Sequence, residues 1–460
     1  MSSRKLLESV SREALIKRCL DLEQALLRNK LTLPPIANVA RKSGKKSKPQ
    51  KPFDFSRYSK RKIALKVAYL GEKYHGLAIQ ISAPDTIEAH LFEALEKSKL
   101  VEDIKTADYS RCGRTDKGVS AYCQVVSLVV RSNLNECRGF ISKPSVEPAK
   151  KKAKATVDEL DYTKILNGLL PPEIRVVDWG AVDTDFSARF SCNARHYKYF
   201  FHRANMDTAA MQAACDHLVG EHDFRNFCKA DVAGGVTNFV RTIKEARVCP
   251  AEIGDASVHS SDGDFDLWEF NIIGHAFLWH QVRCMMAVLF MVGRGDEQPG
   301  MVRHLLNIDE CTHKPQYVMA SELPLVLYDC KFDGIDWSGN DEQHAARIHT
   351  HWRSLWQTNS IRNALLRCFM TAFGHTGVRQ YEGKAFSECA DEVQWPADPK
   401  HRPLMQRQRE ESIAERMAKV EAKKQKEEEE QGTAADAADD DDGDDDGDGD
   451  GDHGAADKTA

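Results

Sequence analysis

The sequence has no long hydrophobic run and no paired-cysteine motif, and each absence excludes a class of protein. No apolar stretch among its 460 residues approaches the roughly 20 residues that a transmembrane helix needs. The N-terminus also lacks the hydrophobic core of a secretory signal peptide. The 13 cysteines are odd in number and include no Cys-x-x-Cys pair, so we expect reduced thiols. These absences predict an intracellular protein without membrane association.

Histidine and cysteine spacing gives little sign of a metal site. His275, His280 and Cys284 lie close together in the sequence, but no further ligands follow at a recognised spacing. We therefore expect no metal at these residues.

The formal net charge of −6 conceals two parts of opposite charge. Residues 427–460 contain sixteen acidic residues and one lysine, a charge of −15, and taking −15 from −6 leaves +9 on the other 426 residues. A body this cationic suits a polyanionic partner such as RNA, although charge alone does not exclude a merely basic soluble protein. The tail either covers the basic surface or keeps the protein soluble, and we favour solubility.

Composition and hydrophobic pattern divide the chain into six parts. We predict a charged helix over 1–32, a basic disordered linker over 33–60, a first folded half over 61–175 with an insertion at 141–156, a second half over 176–335, a helical extension over 336–415, and a charged helix with an acidic disordered tail over 416–460. The basic cluster from Arg41 to Lys51 is either a nuclear localisation signal or a phosphate-binding linker. It favours the nucleus over the cytoplasm as the location.

The most informative stretch is 110–121, in which arginines, a lysine and one carboxylate lie between glycines. Gly113 and Gly118 allow sharp turns, and the apolar run 125–130 predicts a buried strand directly afterwards. Surrounding cations favour the ionised form of Asp116, which makes it a candidate nucleophile or base. Spacing alone favours the simpler interpretation, a solvated turn with a surface ion pair.

Two further stretches combine aromatic or apolar residues with charge. Tyr197, Tyr199 and Phe201 alternate along a predicted strand; such a row is typical of a core, but a tyrosine beside cations can also stack on an unpaired base. Arg283 is the only formal charge in the apolar stretch 276–290, which predicts a buried helix. The arginine therefore needs a carboxylate partner or must extend to the surface, and this stretch does not decide between them.

Together these stretches resemble the TruA family of tRNA pseudouridine synthases. Residues 113–119 are similar to the family's G-R-T-D-x-G-V motif, 69–80 to its first motif with Leu77 where an aromatic residue is common, 186–200 to its arginine-rich strand, and 276–290 to its A-F-x-x-x-x-V-R helix. The preceding Tyr-Ser-Arg-Cys at 109–112 resembles the eukaryotic branch that acts on tRNA positions 38 and 39. The resemblance extends from about 62 to 329.

The resemblance implies an α+β fold of two ferredoxin-like halves, which share a continuous, mostly antiparallel sheet with helices packed on it and a cleft between them. It also implies an isomerase that converts uridine to pseudouridine in the anticodon stem-loop of tRNA, and a homodimer bridged by the RNA. The alternatives are the same chemistry on other tRNA or mRNA uridines, and a non-catalytic tRNA-binding or chaperone protein.

The family motifs also imply roles for individual residues. Asp116 would be the catalytic carboxylate, Arg283 its ion-pair partner, and Tyr197 the platform under the flipped base. Arg114 would brace the gap that the flipped nucleotide leaves. Further candidate RNA contacts are Arg111, Lys117 and Arg195. The isomerisation involves no net redox change, so we expect neither a metal nor an organic cofactor.

Overall fold

The computed structural model describes residues 53–80, 82–135, 137–143, 158–232, 234–252, 267–337, 342–375, 401–423 and 425. The chain divides into two compact units, Met1–Asp54 and Phe55–Ala460, and nearly all of these residues belong to the second. Within these ranges no helix has both the length and the apolar character of a membrane span. The predicted N-terminal helix, most of the basic linker, most of the insertion at 141–156 and the acidic tail lie outside the described residues.

One mixed sheet of eleven strands organises the described residues. The strands are β1 (Ser59–Tyr69), β2 (Ser110–Arg111), β3 (Ser120–Ser132), β4 (Phe140–Ser142), β5 (Ile174–Ala181), β6 (Cys192–His202), β7 (Gly220–Asp223), β8 (Val240–Pro250), β9 (Leu267–Gly274), β10 (Leu325–Phe332) and β11 (Asp336–Trp337). They lie in the order β11-β5-β1-β3-β10-β6-β9-β8-β7, with β2 paired to β3 and β4 to β1.

Helices pack on this sheet and form a separate hydrophobic core in each half. The helices are α1 (Ile87–Lys97), α2 (Tyr162–Asn167), α3 (Thr208–Asp216), α4 (Gln281–Gly293), α5 (Met301–Leu306) and α6 (Glu342–His375). One core joins α1 and α2 to β1, β3 and β5, and the other joins α3 and α4 to β6, β8 and β9. Every residue of α4 is buried, as its apolar sequence predicts. This architecture confirms the expected α+β fold with two halves.

The two halves meet at a short parallel pairing between β3 and β10. Ser120 is opposite Val326 and Ala121 is opposite Leu327, whereas the other pairings in the sheet are antiparallel. Parallel strands begin at the same edge of a sheet, so the loops before β3 and β10 lie side by side. The pairing therefore places the Asp116 loop next to residues 320–324.

The half boundary predicted between residues 175 and 176 falls inside β5. This strand pairs with β1 along most of its length, for example Trp179 with Leu65, and so belongs to the first half. β11 returns from the end of the second half to pair with β5. Within the predicted helical extension over 336–415, the structure has the long helix α6. Its first turn is fixed by the buried His344, which donates from Nε2 to the Val177 carbonyl at 2.6 Å.

Candidate active site

The backbone on both sides of Asp116 is held by the first motif, residues 69–80. The amide of Leu77 donates to the Thr115 carbonyl at 3.1 Å, and the amide of Gly118 donates to the Tyr74 carbonyl at 3.2 Å. Gly76 makes this close approach possible, since its φ is +92° and a Cβ there would lie 2.7 Å from the Thr115 oxygen. The loop is therefore a rigid support for the carboxylate rather than a solvated turn.

The Asp116 carboxylate is contacted by two residues that immediately precede α4. Trp279 donates from Nε1 to Oδ1 at 3.1 Å, and His280 Nε2 lies 3.5 Å from Oδ2. His280 has a φ of 61°, a left-handed conformation that is uncommon for a residue other than glycine and is often found at functional sites. Sequence reasoning did not assign a role to either residue, although both lie within the stretch 276–290 that it singled out.

His280 carries no charge at neutral pH. Burial and the positive charges of Arg283, Lys229 and Lys314 lower its pKa to about 4. A neutral imidazole has one hydrogen, and on Nε2 this hydrogen faces the Asp116 carboxylate. Nδ1 is buried and has no hydrogen-bond partner among the described residues. His280 therefore orients the carboxylate without forming a full ion pair.

The pKa of Asp116 results from opposing effects. Burial raises it above the ordinary value, and the negative charge of Glu322 raises it further. The positive charge of Arg283 and the hydrogen bond from Trp279 lower it. The indole and the guanidinium thus counteract the desolvation that would otherwise favour the protonated acid.

Arg283 forms its ion pair with Glu322, which corrects the prediction of a direct pair with Asp116. Its Nη2 donates to Glu322 Oε2 at 2.7 Å and its Nε to the Ala320 carbonyl at 2.7 Å. The correction follows from the chain path, because residues 320–322 lead into β10 beside the first turn of α4. Arg283 is only 8% exposed, so it has a carboxylate partner instead of extending into solvent. Its charge still reaches Asp116.

Glu322 is a site residue that sequence reasoning missed. It packs against the Asp116 loop, since a Cβ on Gly118 would lie 2.7 Å from its Cγ. One signal was available, because Glu322 is the only acidic residue in the stretch 315–328. Arg283, the single cation of a buried helix, required such a partner.

Tyr197 lies at the centre of the sheet, between the two cores. Its strand β6 pairs with β10 and β9, and the partly buried ring packs against both hydrophobic clusters. The ring is edge-on to Phe277, with 5.1 Å between centroids, and burial raises the pKa of its hydroxyl far above the ordinary value. The tyrosine is therefore neutral and held against the segment that leads to Trp279.

The comparisons with known proteins identify the family. A family model described as tRNA pseudouridine synthase matches residues 214–333. The bovine tRNA pseudouridine(38/39) synthase is 46% identical over 363 residues, which cover 78% of this chain and 74% of the relative. The human enzyme of the same name is also 46% identical, over 77% and 73%, and that of Saccharomyces cerevisiae is 40% identical over 78% and 79%. The chain belongs to the tRNA pseudouridine synthase family. The resemblance found in the sequence is confirmed.

The four basic residues predicted to contact RNA occupy two different environments in this pseudouridine synthase fold. Arg114 and Lys117 are exposed on either side of Asp116, where a polyanion can reach them. Arg111 instead forms an ion pair with Glu88. Arg195 is buried and donates to the carbonyls of Cys112 at 2.8 Å and Arg189 at 3.1 Å, and also to that of His275. Because protein acceptors occupy their guanidinium groups, Arg111 and Arg195 are better suited to holding the loop than to binding phosphate.

Proposed function

We propose that this protein converts uridines 38 and 39 of tRNA into pseudouridine. The observation that carries the proposal is a carboxylate, Asp116, held by Trp279 and His280 at the junction of the two halves. The names of relatives that match over about three quarters of both chains support the target. The reaction breaks the bond between N1 and C1′, rotates the base and joins C5 to C1′.

Each site residue supplies one requirement of that reaction. Asp116 presents an ionised carboxylate to the flipped nucleotide, and Tyr197 provides a face for its base. Trp279 and His280 orient the carboxylate, and the Arg283–Glu322 pair positions the start of α4 beside it. Arg114, exposed two residues before Asp116, braces the gap in the RNA. The reaction requires no electron transfer.

The role of Asp116 is tested by Asp116→Asn in the full chain. We expect the release of tritium from uracil-5-tritiated tRNA to fall by more than about 10³-fold, because the amide keeps the shape but not the charge. Affinity for tRNA should change by less than about threefold, since the substitution leaves the exposed cations Arg114 and Lys117 in place to contact the phosphates. Asp309→Asn, an exposed substitution, is the matched control. Unchanged release would refute the assignment.

The target positions are tested by mapping pseudouridine in RNA from cells that lack the protein. Loss at positions 38 and 39, restored by the wild-type chain but not by Asp116→Asn, is the expected result. Loss at other tRNA or mRNA uridines would redirect the substrate assignment. Full restoration by Asp116→Asn would favour the non-catalytic tRNA-binding role.

We also propose that the enzyme is a homodimer and that a bound tRNA contacts both subunits. Five large apolar side chains on α6 are 50–66% exposed, and three of them, Ile361, Leu365 and Phe369, recur every four residues along one side of the helix. Light scattering on the full chain should give about twice the monomer mass of 51.7 kDa. Leu365→Asp should give a monomer, and a wild-type monomer would refute the proposal.

We place the protein in the nucleus, with the cytoplasm as the alternative, because of the basic cluster from Arg41 to Lys51. A fluorescent fusion should lose nuclear enrichment when the lysines and arginines of this cluster are replaced by alanine. Unchanged distribution would show that the cluster is not a localisation signal.

A further inference from the structure

Three cysteines that are far apart in the sequence meet beneath the catalytic loop. Cys112 precedes Asp116 by four residues, Cys192 begins β6, and Cys330 lies on β10. Their sulfur atoms all lie within 4.8 Å of one another, and those of Cys112 and Cys330 are 3.4 Å apart. Cys112 is 2% exposed and Cys330 6%, whereas Cys192 is partly buried. No sequence spacing could reveal this group, because the sheet assembles it from both halves.

The buried cation Arg195 lies beside the cysteine cluster and lacks a carboxylate partner within the described part of the chain. The Arg195 guanidinium donates to three backbone carbonyls, and among the described residues no carboxylate lies within ion-pair distance of it. A buried guanidinium without a counter-charge is costly. The sulfurs of Cys112 and Cys192 are close enough to interact with its charge. An anionic group formed at the cluster would therefore be stabilised by Arg195.

We propose that Cys112, Cys192 and Cys330 bind one thiophilic metal ion as three thiolates, and that zinc is the ion they suit best. Zinc–sulfur bonds of about 2.3 Å place the sulfurs of a trigonal or tetrahedral site roughly 3.8–4.0 Å apart. The sulfurs of the cluster, between 3.4 Å and 4.8 Å apart, need only small side-chain rotations to reach that spacing. Soft sulfur ligands select zinc or copper(I) over magnesium or calcium.

Charge and protons balance for zinc entry. Three cysteine thiols each lose a proton when they bind Zn²⁺, so binding releases three protons to solvent and leaves a tris-thiolate complex of charge −1. The positive charge of Arg195 then neutralises the complex. The ion would join the Asp116 loop to β6 and β10, across the boundary between the halves.

The test uses Co²⁺ as a spectroscopic probe on the reduced, metal-free full chain. We expect one equivalent of Co²⁺ to produce thiolate-to-metal charge-transfer bands, and Zn²⁺ to displace it. Cys112→Ser, Cys192→Ser and Cys330→Ser should each weaken binding by at least about tenfold, while Cys215→Ser, buried on α3, and Cys368→Ser, exposed on α6, should not. Zinc should raise the melting temperature of the wild type but not of Cys192→Ser, and circular dichroism identifies any variant that fails to fold.

Three results would overturn the proposal. The first two are the absence of charge-transfer bands in the wild type and their persistence in the triple variant in which Cys112, Cys192 and Cys330 are all replaced by serine. The third is a disulfide between Cys112 and Cys330 in protein isolated without air, since only one ligand would then remain. Asp116→Asn protein should bind cobalt as the wild type does, so a failed metal titration and a failed isomerase assay are independent outcomes.

Discussion

Asp116 shows how individual neighbouring residues set the pKa of a partly buried carboxyl group. Burial and Glu322 raise its pKa, while Arg283 and Trp279 lower it. The carboxylate is the reactive form, so activity should be retained above this pKa and lost as the pH falls through it. Each neighbour can be removed singly, and the direction in which the acidic limb of the pH–rate profile moves distinguishes their roles.

Trp279→Phe removes the Nε1 hydrogen bond and keeps an aromatic ring. We expect the pKa of Asp116 to rise, so that the acidic limb of kcat/KM moves to higher pH. A hydrogen bond to a charged group contributes about 1.5–3 kcal/mol, so kcat should fall roughly 10- to 100-fold. Trp337→Phe, on the edge strand β11, is the control. A profile identical to that of the wild type would exclude this role for the indole.

Glu322→Gln should move the same limb in the opposite direction. The amide oxygen can still accept from Arg283, but the negative charge that raises the Asp116 pKa is gone and the guanidinium is no longer neutralised. We expect the acidic limb to shift to lower pH, as measured by tritium release across a pH series. Glu93→Gln on the exposed face of α1 should leave the profile in place. A shift to higher pH would contradict the assigned geometry.

At the scale of elements, the first motif acts as a support for the catalytic loop, and Gly76 lies against the residue that precedes Asp116. Gly76→Ala should displace Thr115 and with it Asp116, because the added Cβ would lie 2.7 Å from the Thr115 oxygen. A shift of about 1 Å in a catalytic group can cost roughly 10²-fold in rate. Gly235→Ala is a matched control, since Gly235 also has a positive φ, +82°, but faces open space. Equal losses in both variants would indicate backbone strain alone.

Local pattern predicted the elements well, and it failed where distant segments meet. The apolar stretches 125–130 and 276–290 predicted β3 and α4, because an element that is buried on most sides leaves a continuous apolar run in the sequence. The partner of Arg283 was predicted wrongly because the parallel pairing of β3 with β10 decides it. That pairing involves two residues of each strand and has no local signature.

At the scale of the whole molecule, the sheet couples the two halves into one catalytic unit. The first half supplies Asp116 and its support, and the second supplies Trp279, His280, Arg283 and Glu322. Neither half contains a complete site. Charge is also distributed unevenly along the whole chain. The exposed cations Arg114 and Lys117 lie on either side of the carboxylate, whereas residues 427–460 carry a dense run of acidic residues.

Deletion of residues 427–460 tests what the acidic tail does, since it changes the formal net charge from −6 to +9. We expect kcat/KM for tRNA at ~0.15 M salt to change by less than about twofold and the protein to precipitate at lower concentration, because acidic residues favour solubility more than basic ones. A Gly/Ser tail of equal length controls for bulk. If kcat/KM at low salt instead rises by more than about tenfold with a steeper salt dependence, the tail covers the RNA-binding surface and the solubility interpretation is wrong.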